Sequence, residues 1–358
     1  MCIETEMFAK QFRRKISSVV SKEVTIPVPW GIIAGKQWTN SEMIDHQGQE
    51  NDSYGSGNNE LCLVKPWIVL HGWLDNAGSF DTLAPMLVSS CPQHSLLCID
   101  YPGHGLSSHI APGHMYHYLE SMRYIKLVAS HMGLDKFGLM GHSMGAGMSS
   151  LFAATFPEMV EALVMIDLVK PVGRRTENLI ENTREAVNTF LAIEMKLSKG
   201  SEKTYKTEEE AFNRLQDGAR YDLTIVYIFL SYFKTFRVLQ GEGAVTDESL
   251  RLIMKRGVKK CEGGFTFTRD LRHKARSLYG LSDEVCEVFA KSIKCPHLLI
   301  KASDSPHYED DIIMKRTLET YSQNPGFDMV TIEGSHHVHL NNPERLMPHL
   351  EKFIGNHL

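Results

Sequence analysis

From Pro66 onward the chain carries a series of short apolar runs, over 67–70, 96–99, 137–140, 162–166, 298–300 and 329–332. A strand with one wet face alternates apolar and polar residues; a run without that alternation has to be covered on both faces, as in a parallel sheet. The segments at 118–132 and 344–354 repeat apolar residues every three or four positions, the period of a helix. This alternation predicts an α/β fold with a mostly parallel central sheet and helices on both faces. The runs end in polar or glycine-rich turns: His71-Gly72, Asp100-Tyr101-Pro102-Gly103, Gly141-His142-Ser143, Asp167, Ser303-Asp304 and Gly334-Ser335-His336. Ligands of open α/β sheets bind beyond the carboxyl ends of the strands, so these turns are expected to converge on one crevice.

Other parts of the chain read differently. Residues 1–22 are expected to hold an amphipathic surface helix, over 6–21, and two strands, 23–29 and 31–38, follow on either side of the break at Pro29. The stretch 39–59 is rich in Asn, Gln, Gly and Ser, lacks apolar periodicity and reads as a solvated loop. Between Asp167 and Cys295 the alternation stops, and the apolar spacing predicts helices over 176–197, 207–215, 222–239, 247–255 and 282–293. The expected organisation is a core of 23–167 and 296–358 with 168–295 inserted as a helical cap, which would exclude water and shape a pocket. Aromatic cap residues such as Phe229, Tyr232 and Phe233 suggest an apolar part on the substrate.

With 358 residues, 42% of them hydrophobic, the chain is long enough for a large core. A net charge of -5 offers no general attraction for nucleic acid or an anionic membrane, which leaves a small molecule as the expected partner. The seven cysteines are odd in number and lack C-x-x-C spacing, so neither a disulfide framework nor a zinc site is suggested and a reducing compartment fits best. No signal peptide or membrane-spanning run is read. The expectation is a cytoplasmic protein; the final Asn356-His357-Leu358 only loosely resembles a peroxisomal address and supplies the alternative.

Gly141-His142-Ser143-Met144-Gly145 is a G-x-S-x-G pentapeptide placed where an apolar strand turns into the small-residue stretch 146–154. A serine on so tight a turn tends toward positive φ, and bulky neighbours two positions away would collide with the backbone. Such a turn lifts the hydroxyl clear of the sheet and aims the first helix amides at whatever the serine attacks. Ser143 is therefore the candidate nucleophile. It needs a base, an acid to orient the base, and amides for the oxyanion. His336 follows the last apolar run and is the candidate base. The turn His71-Gly72-Trp73-Leu74-Asp75 can present the Trp73 amide opposite that of Met144 as an oxyanion hole, while His71 is read as bonding nearby backbone. His336, His337 and His339 could also be read as a metal cluster, but no carboxylate or cysteine at ligand spacing accompanies them, so no metal is expected.

His71-Gly72-Trp73, Asp100-Tyr101-Pro102-Gly103-His104-Gly105, Gly141 to Gly145 and His336 with Pro343 follow one another in an order that resembles the α/β-hydrolase fold family. The stretches Val28-Pro29-Trp30-Gly31, Ala34-Gly35-Lys36, His71-Gly72-Trp73-Leu74-Asp75-Asn76 and Gly105-Leu106-Ser107-Ser108-His109 are similar to its serine hydrolase-like, kraken-type members. The resemblance implies the chain order nucleophile, acid, histidine. Asp304, after the run at 298–300, occupies the usual acid position, although the spacing Ile300-Lys301-Ala302-Ser303-Asp304 is shorter than the family's. Asp167, after the strand that follows the nucleophile helix, is where some relatives place theirs. Asp304 is favoured over Asp167. The implied activity is cleavage of an ester, thioester or related acyl bond through an acyl-enzyme, without a cofactor. A carbon–carbon bond hydrolase on the same residues and a non-catalytic ligand binder are the alternatives; serine at 143 argues against the aspartate-nucleophile epoxide hydrolases and dehalogenases.

Overall fold

The computed structural model describes residues 18–43, 64–173, 179–200, 202–221, 245–275, 277–278, 280–305 and 311–358. Most of the N-terminal helix expected over 6–21, much of the polar stretch 39–59, and the cap segment 224–236 with Phe229, Tyr232 and Phe233 lie outside them.

Eight strands form the main sheet of the described residues: β1 (Val19–Val28), β2 (Gly31–Asn40), β3 (Lys65–Leu70), β4 (His94–Ile99), β5 (Phe137–His142), β6 (Val160–Ile166), β9 (His297–Ala302) and β10 (Phe327–Ile332). Their order is β1-β2-β4-β3-β5-β6-β9-β10. From β4 to β10 every pairing is parallel, while β1 and β2 add an antiparallel edge. The expected helix does not extend to Ser21. The β-branched Val19 and Val20 start β1, where Val19, Val20 and Ser21 pair with Asn40, Thr39 and Trp38, so Thr39 and Asn40 belong to a strand as well.

The apolar runs divide by the two-residue period of a strand. Ile68, Leu70, Leu163 and Met165 join one core cluster with Ile125 and Val128 of helix α2 (Ser121–His131) and Ala146 and Phe152 of α3 (Met144–Thr155). Trp67, Val69, Ala162, Val164 and Ile166 join the other, with Leu83 and Leu87 of α1 (Leu83–Ser90) and Leu350 and Phe353 of α9 (Met347–His357). Each fully buried Leu or Ile contributes about 1.5–3 kcal/mol relative to an exposed position. Trp67 also donates its indole N–H to His94 Nδ1 at 3.1 Å, so this fully buried histidine is held as a neutral acceptor.

In the inserted region stand α4 (Leu179–Ser198), α5 (Glu208–Tyr221), α6 (Asp247–Gly257) and α7 (Asp283–Ser292). Two strands that the helical spacing missed, β7 (Val258–Cys261) and β8 (Gly264–Phe267), form a hairpin closed by Glu262-Gly263, with Gly263 at φ 83°. The region is fastened to the sheet through α6. Asn76 Nδ2 donates to Ile253 O at 2.9 Å, and the Arg256 guanidinium bridges Asp100 (2.7 Å) and Glu23 (2.6 Å). Helix α7 falls within the expected cap, yet it packs against α3 and against α8 (Asp311–Tyr321), and its Ala290 enters the first core cluster. At the C-terminus, Leu358 packs against the second cluster. No helix of the described residues is long and apolar enough to cross a membrane.

Candidate active site

Strand β5 delivers Ser143 to the start of α3 in a conformation that few non-glycine residues adopt, φ 51° and ψ -118°. The flanking glycines are required by close approach. A Cβ on Gly141 would lie 2.3 Å from the Gly145 backbone, and one on Gly145 would lie 2.2 Å from Leu70 O, at the end of β3. Ser143 N donates to Ile166 O at 2.9 Å, which fixes the turn to β6. Among the described residues, the non-glycine positions with positive φ are Leu74, Ser143 and Asp167, which follow β3, β5 and β6 at one edge of the sheet. Such strain is a recurrent property of functional sites.

Ser143 Oγ lies 2.8 Å from His336 Nε2, and His336 Nδ1 lies 2.5 Å from Asp167 Oδ2. The aspartate is inaccessible and the histidine side chain 12% exposed. A carboxylate can only accept, so His336 Nδ1 carries the proton and Nε2 is left to accept from the serine hydroxyl. The other carboxylate oxygen, Asp167 Oδ1, accepts from Lys301 Nζ at 2.7 Å and from Ala302 N at 2.9 Å. Burial pushes the Asp167 carboxyl up, but the hydrogen bond and charge of His336, with those of Lys301, outweigh it and bring the carboxyl below its ordinary value.

Asp304 does not take the acid position expected for it. It sits exposed in the turn after β9, where its carboxylate accepts from Ser303 Oγ at 2.7 Å and its amide donates to Gly334 O. The short spacing after β9 spends the turn on those local bonds, whereas β6 ends one strand nearer to the elbow and points Asp167 inward.

On the other flank, the turn after β3 is pinned from several sides. His71 donates through Nδ1 to Gly72 O (2.7 Å) and accepts at Nε2 from Tyr101 N (3.1 Å), so it is structural and burial lowers its pKa. Trp73 Nε1 donates to His273 O at 3.1 Å, and Leu74 N donates to His104 Nε2 at 3.3 Å. Gly145, directly behind Met144, touches the end of β3, so the turn bearing Trp73 and the first turn of α3 are neighbours. Met144 opens α3, whose first amides have no partner within the helix, and its own carbonyl accepts from Tyr118 Oη at 2.9 Å.

Several participants carry no motif signal: Lys301 behind Asp167, Ser305 Oγ at 3.4 Å from His336 Nδ1, and His142, whose Nε2 lies 2.8 Å from His336 O. Lys301 did have a signal in the sequence, a cation inside an otherwise apolar strand.

Residues 65–217 match the model of the α/β hydrolase fold family. A Drosophila melanogaster protein described as a probable serine hydrolase is 31% identical over 93% of this chain and 87% of its own length. The chain belongs to the α/β-hydrolase fold family. Within it, a serine hydrolase-like protein of Danio rerio is 28% identical over 97% of this chain and 93% of that one. Among solved structures, a hypothetical protein from Pseudomonas aeruginosa superposes with a TM-score of 0.68 at 26% identity, covering 93% of this chain and 98% of the other. The thioesterase domain from the curacin biosynthetic pathway shares the fold with a TM-score of 0.67 at 16% identity, covering 94% and 99%. These likenesses support a hydrolase.

Proposed function

We propose that this α/β-hydrolase-fold protein is a serine hydrolase that cleaves an ester, thioester or related acyl bond of a small molecule through an acyl-enzyme. The observation that carries the reading is the chain of contacts from Ser143 Oγ to His336 Nε2 (2.8 Å) and from His336 Nδ1 to Asp167 Oδ2 (2.5 Å).

In this reading Ser143 Oγ attacks the acyl carbon while its proton passes to His336 Nε2. The imidazolium that forms is stabilised by Asp167, which stays ionised because Lys301 and the Ala302 amide hold its second oxygen. The amides of Trp73 and Met144 receive the oxyanion; one such donor typically contributes about 2.7–4 kcal/mol in the transition state. The leaving group takes the proton from His336, and water then repeats the sequence to release the acid. Positive φ at Ser143 serves this chemistry by presenting Oγ at the mouth of the helix, where the α3 dipole favours negative charge.

Labelling with a fluorophosphonate probe tests the reading. The wild-type protein is expected to acquire one label, absent in Ser143→Ala; a well-folded wild type that stays unlabelled while a known serine hydrolase reacts would refute it. A panel of p-nitrophenyl esters of increasing chain length then ranks the acyl groups accepted.

A further inference from the structure

Beside the triad, three side chains from distant parts of the chain meet: Asp75 of the turn after β3, His142 of the elbow, and His337. One ligand-type atom from each lies within 4.8 Å of the other two. His337 Nε2 is 3.5 Å, and His142 Nδ1 3.9 Å, from Asp75 Oδ2.

The polarity of these atoms is what makes the arrangement unusual. His142 Nε2 faces the carbonyl oxygen of His336 at 2.8 Å, and a carbonyl only accepts, so Nε2 holds the proton and Nδ1 presents a lone pair. That lone pair faces a carboxylate oxygen, another acceptor. Both atoms are buried; His142 Nδ1 has no hydrogen-bond partner among the described residues, and Asp75 Oδ2 has only the long 3.5 Å approach of His337 Nε2, outside good hydrogen-bond geometry. A buried polar group left in this state is costly, because it has given up water without a full replacement. A cation between the two acceptors satisfies both.

A Cβ on Gly72 would stand 2.9 Å from His142 Nδ1 and 3.2 Å from Asp75 Oδ2, so only glycine keeps a side chain of that turn out of the space in front of both atoms. The His337 and Asp75 side chains are 19% and 10% exposed, which gives a path inward. Ligand atoms about 2.0–2.2 Å from a tetrahedral metal stand roughly 3.4 Å apart, against 3.5 and 3.9 Å for the two histidines from Asp75 Oδ2 and at most 4.8 Å across the set. Two imidazoles and one carboxylate suit zinc-class ions better than calcium or magnesium, which prefer oxygen alone.

We propose that Asp75, His142 and His337 form a binding site for a divalent zinc-class metal ion, with its fourth position open to solvent. Occupation ties the turn that carries Trp73 to the loop that carries His336, so the site clamps the two flanks of the triad.

Cobalt(II), which reports four-coordination through its visible ligand-field bands, is the probe. Wild-type protein dialysed against cobalt(II) is expected to retain one ion per chain by elemental analysis and to show those bands. Asp75→Asn and His337→Gln, each checked for a native melting curve, are expected to bind more than ~100-fold more weakly. His336→Asn and Ser143→Ala are expected to bind as the wild type does. Because the readout is metal and not turnover, it is independent of the hydrolase reading. Failure of the wild type to bind below ~100 µM would overturn the proposal. So would binding that is lost in His336→Asn but kept in His337→Gln, which would place the ion on the triad.

Discussion

Replacing Asp167 by Asn separates the two carboxylates that could orient His336, and the structure dictates how the amide would sit. Asp167 Oδ1 faces two donors, Lys301 Nζ at 2.7 Å and Ala302 N at 2.9 Å. The amide oxygen of an asparagine must take that position, because its NH2 group there would oppose both. The NH2 group is then turned toward His336 Nδ1 and requires it to accept. Nε2 becomes the protonated nitrogen, and the ring can no longer take the Ser143 proton. The loss therefore comes from the wrong tautomer in an intact site. Such a change is worth about 10⁴ in kcat, or roughly 5.5 kcal/mol of transition-state stabilisation. Asp304→Asn, at an exposed position, is expected to change kcat by no more than about twofold, the scale of about 0.5 kcal/mol for surface substitutions. Steady-state hydrolysis of a p-nitrophenyl ester, with matched melting temperatures, measures both. A loss above ~100-fold in Asp304→Asn with Asp167→Asn near wild type would refute the tautomer argument and the assignment built on it.

Three further outcomes are expected. Lys301→Met leaves the buried Asp167 charge without its cation, so unfolding in urea should show a loss of about 3–5 kcal/mol, accompanied by reduced kcat. Gly145→Ala pushes a methyl group to 2.2 Å from Leu70 O; about 1–3 kcal/mol of stability should go, and kcat should fall further than KM changes because Met144 and the β3 turn are forced apart. Acid should weaken the fold well above the carboxylate range. Burial lowers His94 and His297 from 6.5 to about 4 in the folded protein, so the unfolded chain takes up protons first as pH falls. The stabilisation is complete above about pH 7 and is lost between about 6.5 and 4; at about 1.4 kcal/mol per pKa unit each histidine removes roughly 3 kcal/mol by pH 4. Urea midpoints at pH 7, 6 and 5 that do not decline would contradict this.

The elbow was legible in the sequence because its requirements are local. Gly141 and Gly145 answer collisions with atoms of the same turn or the next strand, and any chain making that turn meets the same sterics. The parallel sheet was legible for a similar reason, since a strand covered on both faces cannot afford polar positions. The acid was not, because two carboxylates end neighbouring strands and the choice between them depends on register and backbone direction. Asp167 N binds Ile300 O across the β6–β9 pairing, and φ 54° swings the side chain toward His336. Neither fact has a sequence signature. The charge of Lys301 does: a lysine within β9, a strand buried along its length, needs a nearby carboxylate, and Asp167, the residue directly after the paired strand β6, supplies it. The hairpin at β7 and β8 had a comparable sign in its two-residue Glu262-Gly263 turn, followed by the alternating Phe265-Thr266-Phe267. The histidines at 336, 337 and 339 carry the same lesson in reverse. A search for metal ligands at local spacing finds no carboxylate beside them, while the fold brings Asp75 to His337 from the far end of the sheet's first parallel unit. Chemistry carried by one turn can be read from its residues; chemistry assembled between turns shows itself in sequence only when one member, like Lys301, is out of place in its own element.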